Sequence, residues 1–153
     1  RASQPLRRLQ TIARLAEAGI PVGVLAAPMI PALNDHELEK ILGEARRAGA
    51  SMAGYVLLRL PLELAQLFED WLAAHYPLKH EHVMSVLRQT RGGRDYDATF
   101  GQRMRGVGPF AELLNKRYHL AVQRLGLNAR WEGLDHSLFR PPSSNGQLDL
   151  FAN

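Results

Sequence analysis

The sequence predicts an α/β protein in which two parallel strands are joined by a helix. Residues 21–27 form an apolar run with β-branched side chains that is too short for a helix, and residues 52–60 form a second such run. Between them, apolar residues recur at helical spacing across residues 38–45. Strand, helix and strand in this order imply two parallel neighbours joined by a right-handed crossover.

Composition limits the class of protein. The 153 residues, of which 46% are hydrophobic and 22% charged, suffice to bury the core of one soluble globular domain. No apolar run approaches the length of a membrane span and no signal peptide begins the chain, so we expect a cytoplasmic protein without membrane contact. The chain has no cysteine, which excludes disulfides. A formal net charge of +4 permits a polyanionic partner.

A helix is predicted before the first strand. Ser3 is a suitable N-cap, Pro5 falls in the first turn, where proline is tolerated, and Gly19 ends the helix. A second helix is predicted from about His36, and Gly49 closes it. Helix, strand, helix and strand are therefore the expected order of the first elements.

The loop between the first strand and the second helix is predicted to be stiff. Pro28 and Pro31 hold it extended, because proline fixes φ and moves its predecessor away from the α region. Asp35 then suits the N-cap of the helix. Since ligands of α/β sheets bind where strands end, this loop is a candidate ligand site.

The second strand carries a cation among apolar residues. Alternation places Tyr55, Leu57 and Arg59 on one side of it. Arg59 either binds a carboxylate or phosphate near the strand end, or it snorkels or pairs with a structural carboxylate. Tyr55 is either a redox or hydrogen-bonding group or a core tyrosine with a satisfied hydroxyl. We take both residues as catalytic candidates.

Two helical stripes follow the second strand. Apolar residues at helical spacing run through residues 64–72 and 83–87, and both stripes indicate core packing rather than a cofactor site. His80 and His82 are two residues apart, so on a helix they point in different directions. The sequence contains no zinc spacing, no Gly-x-Ser-x-Gly turn and no Walker loop. We therefore predict no metal site.

Residues 88–109 interleave arginine with glycine, which places guanidinium groups on backbone that can approach a ligand closely. This pattern favours phosphate contact, and the alternative is a solvated loop with surface arginines. Gly108 and Pro109 then begin a last helix. The residues assigned to nucleic-acid binding are Arg91, Arg94, Arg103 and Arg105.

Four stretches carry a family resemblance: VGVLAAPMIPALNDHEL, GYVLLRLP, RGGRD and FGQRMRGVGPFAELL. They resemble the back half of a bacterial subgroup of radical SAM proteins related to spore photoproduct lyase. The resemblance implies the end of a partial (β/α)6 barrel over residues 1–61, a helical extension over 62–126, and an irregular segment with a flexible tail over 127–153. The family binds its cluster through Cys-x-x-x-Cys-x-x-Cys, which this sequence lacks. We therefore expect a C-terminal fragment, starting at Arg1 without Met, that binds no cofactor alone.

The resemblance also implies an activity for the intact protein. Such an enzyme reductively cleaves S-adenosylmethionine at a 4Fe–4S cluster, and the 5′-deoxyadenosyl radical abstracts hydrogen from a substrate. The resemblance implies a DNA lesion as the substrate, and a peptide or small molecule is the alternative. Ala27, Pro28 and Ile30 would contact the adenine side, Asn34 would cap the loop, and Arg59 would face the substrate or the methionyl carboxylate. The alternative is a non-catalytic module that binds DNA and a clamp.

The tail contains a second resemblance. QLDLF resembles the pentapeptide by which bacterial polymerases and repair proteins dock on the sliding clamp. The match comprises Gln147, Leu148, Asp149, Leu150 and Phe151. It implies a clamp partner; the alternative is that the apolar residues fold back on the surface of this domain.

Overall fold

The computed structural model describes residues 3–129 together with Ser137 and Phe139. This part of the chain contains five α-helices and two β-strands, with a short 3-10 turn at Asp35–Glu37. The predicted order of the first elements is confirmed. The bounds are α1 Pro5–Glu17, β1 Gly23–Met29, α2 Leu38–Arg47, β2 Met52–Leu57, α3 Leu64–His75, α4 His80–Gln89 and α5 Gly108–Leu125.

The two strands form a parallel sheet, and α2 connects them. Ala26 of β1 lies opposite Tyr55 of β2. The fold is therefore mixed α/β, as the sequence predicts. β2 ends at Leu57 rather than at residue 60, and there a later loop joins the strand, because the Leu57 N–H donates to the Met104 carbonyl at 2.9 Å.

One face of the sheet packs against α2 and α5. Tyr118 of α5 reaches β2, where its hydroxyl donates to the Ala53 carbonyl at 2.8 Å. Beyond α5, the side chain of Asn128 accepts from the Ala53 N–H at 2.8 Å and donates to the Ala53 carbonyl at 3.0 Å. An amide side chain thus occupies the edge of β2 with which a further strand would pair. The buried residues of this core are Ala26, Met29, Leu38, Leu42, Leu57, Leu114, Ala121 and Leu127.

A second core lies between α3 and α4. The apolar stripe of α4 is confirmed as core packing, since Val83 and Leu87 are buried and Val86 is half-buried. The stripe of α3 is buried only in part: Leu72 is buried and Phe68 half-buried, whereas Leu64, Leu67 and Trp71 are exposed. No helix in the described residues is long and apolar enough to cross a lipid bilayer. The buried residues of this core are Leu60, Leu72, Val83, Met84 and Leu87.

The helices group differently from the sequence-based division. We predict that residues 62–126 form a helical extension beyond the strands of residues 1–61. In the structure α5, at the end of that segment, packs on the sheet and on α2, while α3 and α4 form the second core. Hydrophobic spacing shows that a helix buries one face, but it does not show which partner that face meets.

An ion network joins α5 to the start of α2. Arg117 donates to both carboxylate oxygens of Glu39 at 2.8 Å, to the Asp35 carbonyl at 2.8 Å and to the Asp35 carboxylate at 3.3 Å. Asp35 is therefore not the N-cap that the sequence predicts; it lies in the 3-10 turn, and its carboxylate is turned to Arg117. The hydrogen bond from Arg117 lowers the pKa of Glu39.

Replacing Arg117 by Met should destabilise the protein by about 1–3 kcal/mol, because two partly buried carboxylates lose their donor. Urea unfolding measures this change. The contribution of Glu39 is fully present above pH 4.5, the ordinary pKa of a glutamate. It is lost as the pH falls through the lower pKa of the folded state.

Arg47→Met is the matched control for this variant. Arg47 pairs with Glu44 on the exposed surface of a single helix, where such pairs contribute about 0.5 kcal/mol or less. Equal unfolding free energies for Arg117→Met and Arg47→Met at neutral pH would contradict the prediction.

Candidate functional site

The carboxyl ends of β1 and β2 lie side by side, at the edge where parallel sheets bind ligands. After β1 the chain turns through residues 30–34, and the side chain of Asn34 holds this turn to the end of the strand. Its Oδ1 accepts from the Ile30 N–H at 2.6 Å, and its Nδ2 donates to the Pro28 carbonyl at 3.0 Å. The side chain of Asn34 therefore closes this loop with two hydrogen bonds.

The residues that we expect to contact S-adenosylmethionine have different surroundings. Ala27 and Pro28 are exposed at the end of β1, whereas Ile30 is half-buried against the second core. Asn34 uses its side-chain amide within its own turn. Ala27 and Pro28 are thus free to meet a ligand, and Ile30 and Asn34 support the loop. Cofactor binding by these residues stays a prediction.

Arg59 follows β2 and is half-buried among neutral groups. Its Nη1 donates to Sδ of Met104 and its Nη2 to the hydroxyl of Tyr96, both at 3.4 Å. The guanidinium carbon lies 5.9 Å from the centre of the Tyr96 ring, within cation–π range. The Nε atom is buried without a hydrogen-bond partner among the described residues. The guanidinium is therefore held in place, but no carboxylate among residues 3–129 forms a salt bridge with it.

Arg91 is not the surface residue that the sequence predicts. Only 2% of its surface is exposed. Its guanidinium donates to the carbonyls of Leu58 at 2.8 Å, Gln102 at 3.2 Å and Leu57 at 3.4 Å. Its Nη1 and Nη2 atoms hold the end of β2 against a later turn, and its Nε is buried without a hydrogen-bond partner among the described residues. These contacts favour a structural role for Arg91 over the predicted nucleic-acid binding.

Arg59 and Arg91 carry like charges, and we call them the arginine pair. In the described part of the chain neither guanidinium forms a salt bridge with a carboxylate. Burial lowers the pKa of Arg91, and the charge of Arg59 lowers it further, while the charge of Asp97 raises it. Removing a charge from water costs several kcal/mol unless it is compensated. Arg59, the half-buried member of the pair, is thus suited to receive an anion.

The arginine- and glycine-rich segment of residues 88–109 packs against the end of β2. The Val107 N–H donates to the Thr90 carbonyl at 3.0 Å, and the Met104 carbonyl accepts from Leu57. Gly106, at a φ of 75°, passes so close to Leu57 that a Cβ atom would lie 2.8 Å from the leucine Cδ2. Glycine alone fits this approach without a shift. The alternative of a solvated loop therefore does not describe this part of the segment.

The other arginines of the segment remain accessible. Arg94 and Arg105 are exposed, and Arg103 is half-buried, with its guanidinium carbon 5.5 Å from the centre of the Phe100 ring. Their assignment to nucleic-acid binding stays a prediction. Phe100 is 87% exposed, and sequence reasoning missed it. The available signal was an aromatic residue within a basic segment that has neither helical nor strand periodicity.

Tyr55 lies on the face of β2 that packs against α5. Its hydroxyl donates to Oδ1 of Asn115 at 3.3 Å, and its ring centre is 4.9 Å from that of Tyr118. Burial raises the pKa of Tyr55. These are the surroundings of a core tyrosine with a satisfied hydroxyl, and they favour that alternative over a catalytic role.

The chain offers no site for a metal or cluster in its described residues: no group of three or more His, Cys, Asp or Glu side chains is placed to hold an ion. The whole sequence lacks cysteine, so it provides no thiolate for iron. Comparisons with protein-family models, characterised proteins and solved structures give no match to this chain. The predicted clamp motif, residues 147–151, lies outside the described residues.

Arg91→Lys should destabilise the chain by about 1–3 kcal/mol, because lysine cannot reproduce the fork that reaches several carbonyls. Arg94→Lys is the control, since Arg94 is exposed and its replacement should change the unfolding free energy by less than about 0.5 kcal/mol. Chemical denaturation measures both. If the two variants are equally stable, the fork of Arg91 does not hold β2 to the turn.

Proposed function

We propose that this chain is the C-terminal part of a bacterial radical SAM enzyme related to spore photoproduct lyase, which acts on a nucleic acid. The observation that carries the proposal is Arg59, whose half-buried guanidinium contacts only neutral groups among the described residues. Guanidinium groups bind carboxylates and phosphates. S-adenosylmethionine has a carboxylate and a nucleic acid has phosphates, so either would provide the missing anion.

The sheet supports the partial-barrel form of this proposal. Helices of the first core pack on one face, while Leu25 on the opposite face is 64% exposed. Asn128 and Met104 occupy the outer edge of β2, which leaves β1 as the strand to which another could be added. Outer helices, an inner strand face and ligands at the carboxyl ends are the arrangement of a β/α barrel. We take β1 and β2 as the last strands of a partial (β/α)6 barrel.

The residues have separate tasks in this proposal. Arg59 binds the carboxylate of S-adenosylmethionine or a substrate phosphate, and Arg91 holds the turn that surrounds Arg59. Ala27 and Pro28 give apolar contacts on the loop that Asn34 holds. A 4Fe–4S cluster does not fit these residues, because they include no thiolate, so its ligands would come from outside this sequence. S-adenosylmethionine, when bound, supplies the radical chemistry of such an enzyme.

The longer protein, purified without oxygen, should bind iron and sulfide and cleave S-adenosylmethionine under reduction, which iron analysis and chromatography measure. Arg59→Gln in that protein should weaken binding of S-adenosylmethionine or substrate about 10- to 100-fold, because a charge-assisted hydrogen bond is lost. These 153 residues alone should retain no iron, since thiolates are the expected ligands.

A stability measurement separates a binding role of Arg59 from a structural one. Arg59→Gln in the 153-residue chain should not lower the unfolding free energy, because an uncompensated charge is removed. Arg88→Gln is the matched control and should lower it, since Arg88 binds Glu69 and Asp95. Iron retained stoichiometrically by this chain, or a stability loss at Arg59 with unchanged binding, would count against the proposal.

A second candidate function is a non-catalytic module that binds DNA and the sliding clamp. The exposed arginines Arg94 and Arg105 favour it, because they need no cofactor to contact phosphate. The anaerobic purification distinguishes the two functions: nucleic-acid binding by a longer protein without iron or cleavage of S-adenosylmethionine supports the module.

We also propose that the tail docks on the sliding clamp of bacterial DNA polymerase. Leu150 and Phe151 are large apolar side chains, and as anchors in a preformed pocket each contributes on the order of 1.5–3 kcal/mol. Gln147 offers an amide for orienting hydrogen bonds. The preceding residues 141–146, rich in proline, serine, asparagine and glycine, suit a flexible linker.

A peptide of residues 143–153 should bind purified clamp in the micromolar range, roughly −8 kcal/mol. Leu150→Ala combined with Phe151→Ala should abolish binding, whereas Ser143→Ala with Ser144→Ala, in the linker, should leave it unchanged. Isothermal titration calorimetry measures the affinities. Absence of binding by both the peptide and the whole chain would leave the tail to fold back on its own domain.

A further inference from the structure

We infer that Phe100 and Arg103 form a stacking platform for an unpaired nucleobase. The inference rests on the nucleic-acid part of the proposed function and names what is recognised there. Phe100 is 87% exposed, and the guanidinium carbon of Arg103 lies 5.5 Å from the centre of its ring. Aromatic rings and guanidinium planes are the groups on which bases of single-stranded nucleic acids stack.

The turn that carries Phe100 is held by its own backbone. The N–H groups of Gln102 and Arg103 both donate to the Thr99 carbonyl, at 3.2 Å and 2.9 Å. The Asp97 carboxylate accepts from the Thr99 N–H at 2.8 Å. The backbone that carries Phe100 is thus ordered before a ligand binds, which lowers the conformational entropy lost on binding.

The platform and the arginine pair share this turn. Met104 continues it and contacts both Arg59 and the end of β2, and the carbonyl of Gln102 accepts from Arg91. An anion at Arg59 and a base on Phe100 would therefore be held by one piece of backbone. A nucleotide unit carries both groups.

Charge favours a nucleic acid over an apolar protein surface as the partner. Arg94 and Arg105 are exposed on the same segment, and the chain has a formal net charge of +4. Of the neighbouring carboxylates, Asp95 is paired with Arg88, whereas Asp97 keeps its negative charge and accepts from the Thr99 N–H. Phosphates are attracted to such a surface, and the aromatic ring adds a contact that depends on the base.

Fluorescence anisotropy with the full 153-residue chain tests the platform. The probes are a short single strand of thymidines and an abasic strand of the same length, which has the same phosphates but no bases. The chain should bind the first strand about 5- to 100-fold more tightly than the second. Phe100→Ala should remove this preference and Phe100→Trp should keep it, both without a change in salt dependence.

Two controls separate stacking from charge and from general apolar contact. Arg94→Gln with Arg105→Gln should weaken binding of both strands and reduce the salt slope by about 0.7 for each lost contact. Leu78→Ala should change nothing, since Leu78 is fully exposed in the connection between α3 and α4.

The outcomes distinguish the platform from the proposed function. If Phe100→Ala binds both strands as tightly as the parent does, or lowers the affinity for both strands by the same factor, the platform is overturned while nucleic-acid binding stands. If the parent chain binds neither strand, both are overturned. An unchanged unfolding free energy of Phe100→Ala shows that any loss of binding comes from the contact and not from the fold.

Discussion

The guanidinium of Arg91 determines how the later segments of this chain meet the sheet. It donates to the carbonyls of Leu57 and Leu58 at the end of β2 and to that of Gln102 in the later turn. Buried carbonyl groups need donors, and one planar fork supplies them to two distant parts of the chain at once. Since Tyr96 and Met104 belong to the segment that Arg91 secures, the surroundings of Arg59 depend on it as well.

This arrangement places two positive charges together, and their contacts differ from those of two half-buried arginines elsewhere in the described residues. Arg117 and Arg88, which join helices to their neighbours, each bind two carboxylates. Arg59 and Arg91 receive only carbonyl, hydroxyl and thioether partners within the described residues. A carboxylate partner offsets the desolvation penalty of a cation that has a structural role. A cation that binds an anionic ligand must instead keep the position beside its guanidinium unoccupied by carboxylates of the protein. The contrast within one chain is the reason for assigning Arg59 to a ligand.

Local patterns predicted the elements, because apolar periodicity, prolines and glycines act over a few residues. Arg59 could be identified in the same way, as a cation within an apolar run. Contacts between distant residues could not: nothing near Asp35 in the sequence indicates Arg117, and nothing near Ala53 indicates Asn128. The burial of Arg91 was missed for this reason. Arginine among glycines is ordinarily solvated, and the carbonyl partners of Arg91 come from the end of β2 and from the turn at Gln102, both distant from it in sequence.

The turn around Gln102 links the charge of the site to its exposed aromatic surface. Phosphate contacts position a nucleic acid, whereas contacts to bases distinguish one ligand from another. In the proposed function, Arg59 would make the first kind of contact and Phe100 the second. Met104 follows Phe100 by four residues and accepts a hydrogen bond from Arg59. A simple carboxylate would satisfy only the guanidinium, while a ligand with both an anionic group and a base would use both. Arg91 and the close approach of Gly106 to Leu57 hold the turn against β2. The distance between the Arg59 guanidinium and the Phe100 ring is therefore set by the fold and not by the ligand.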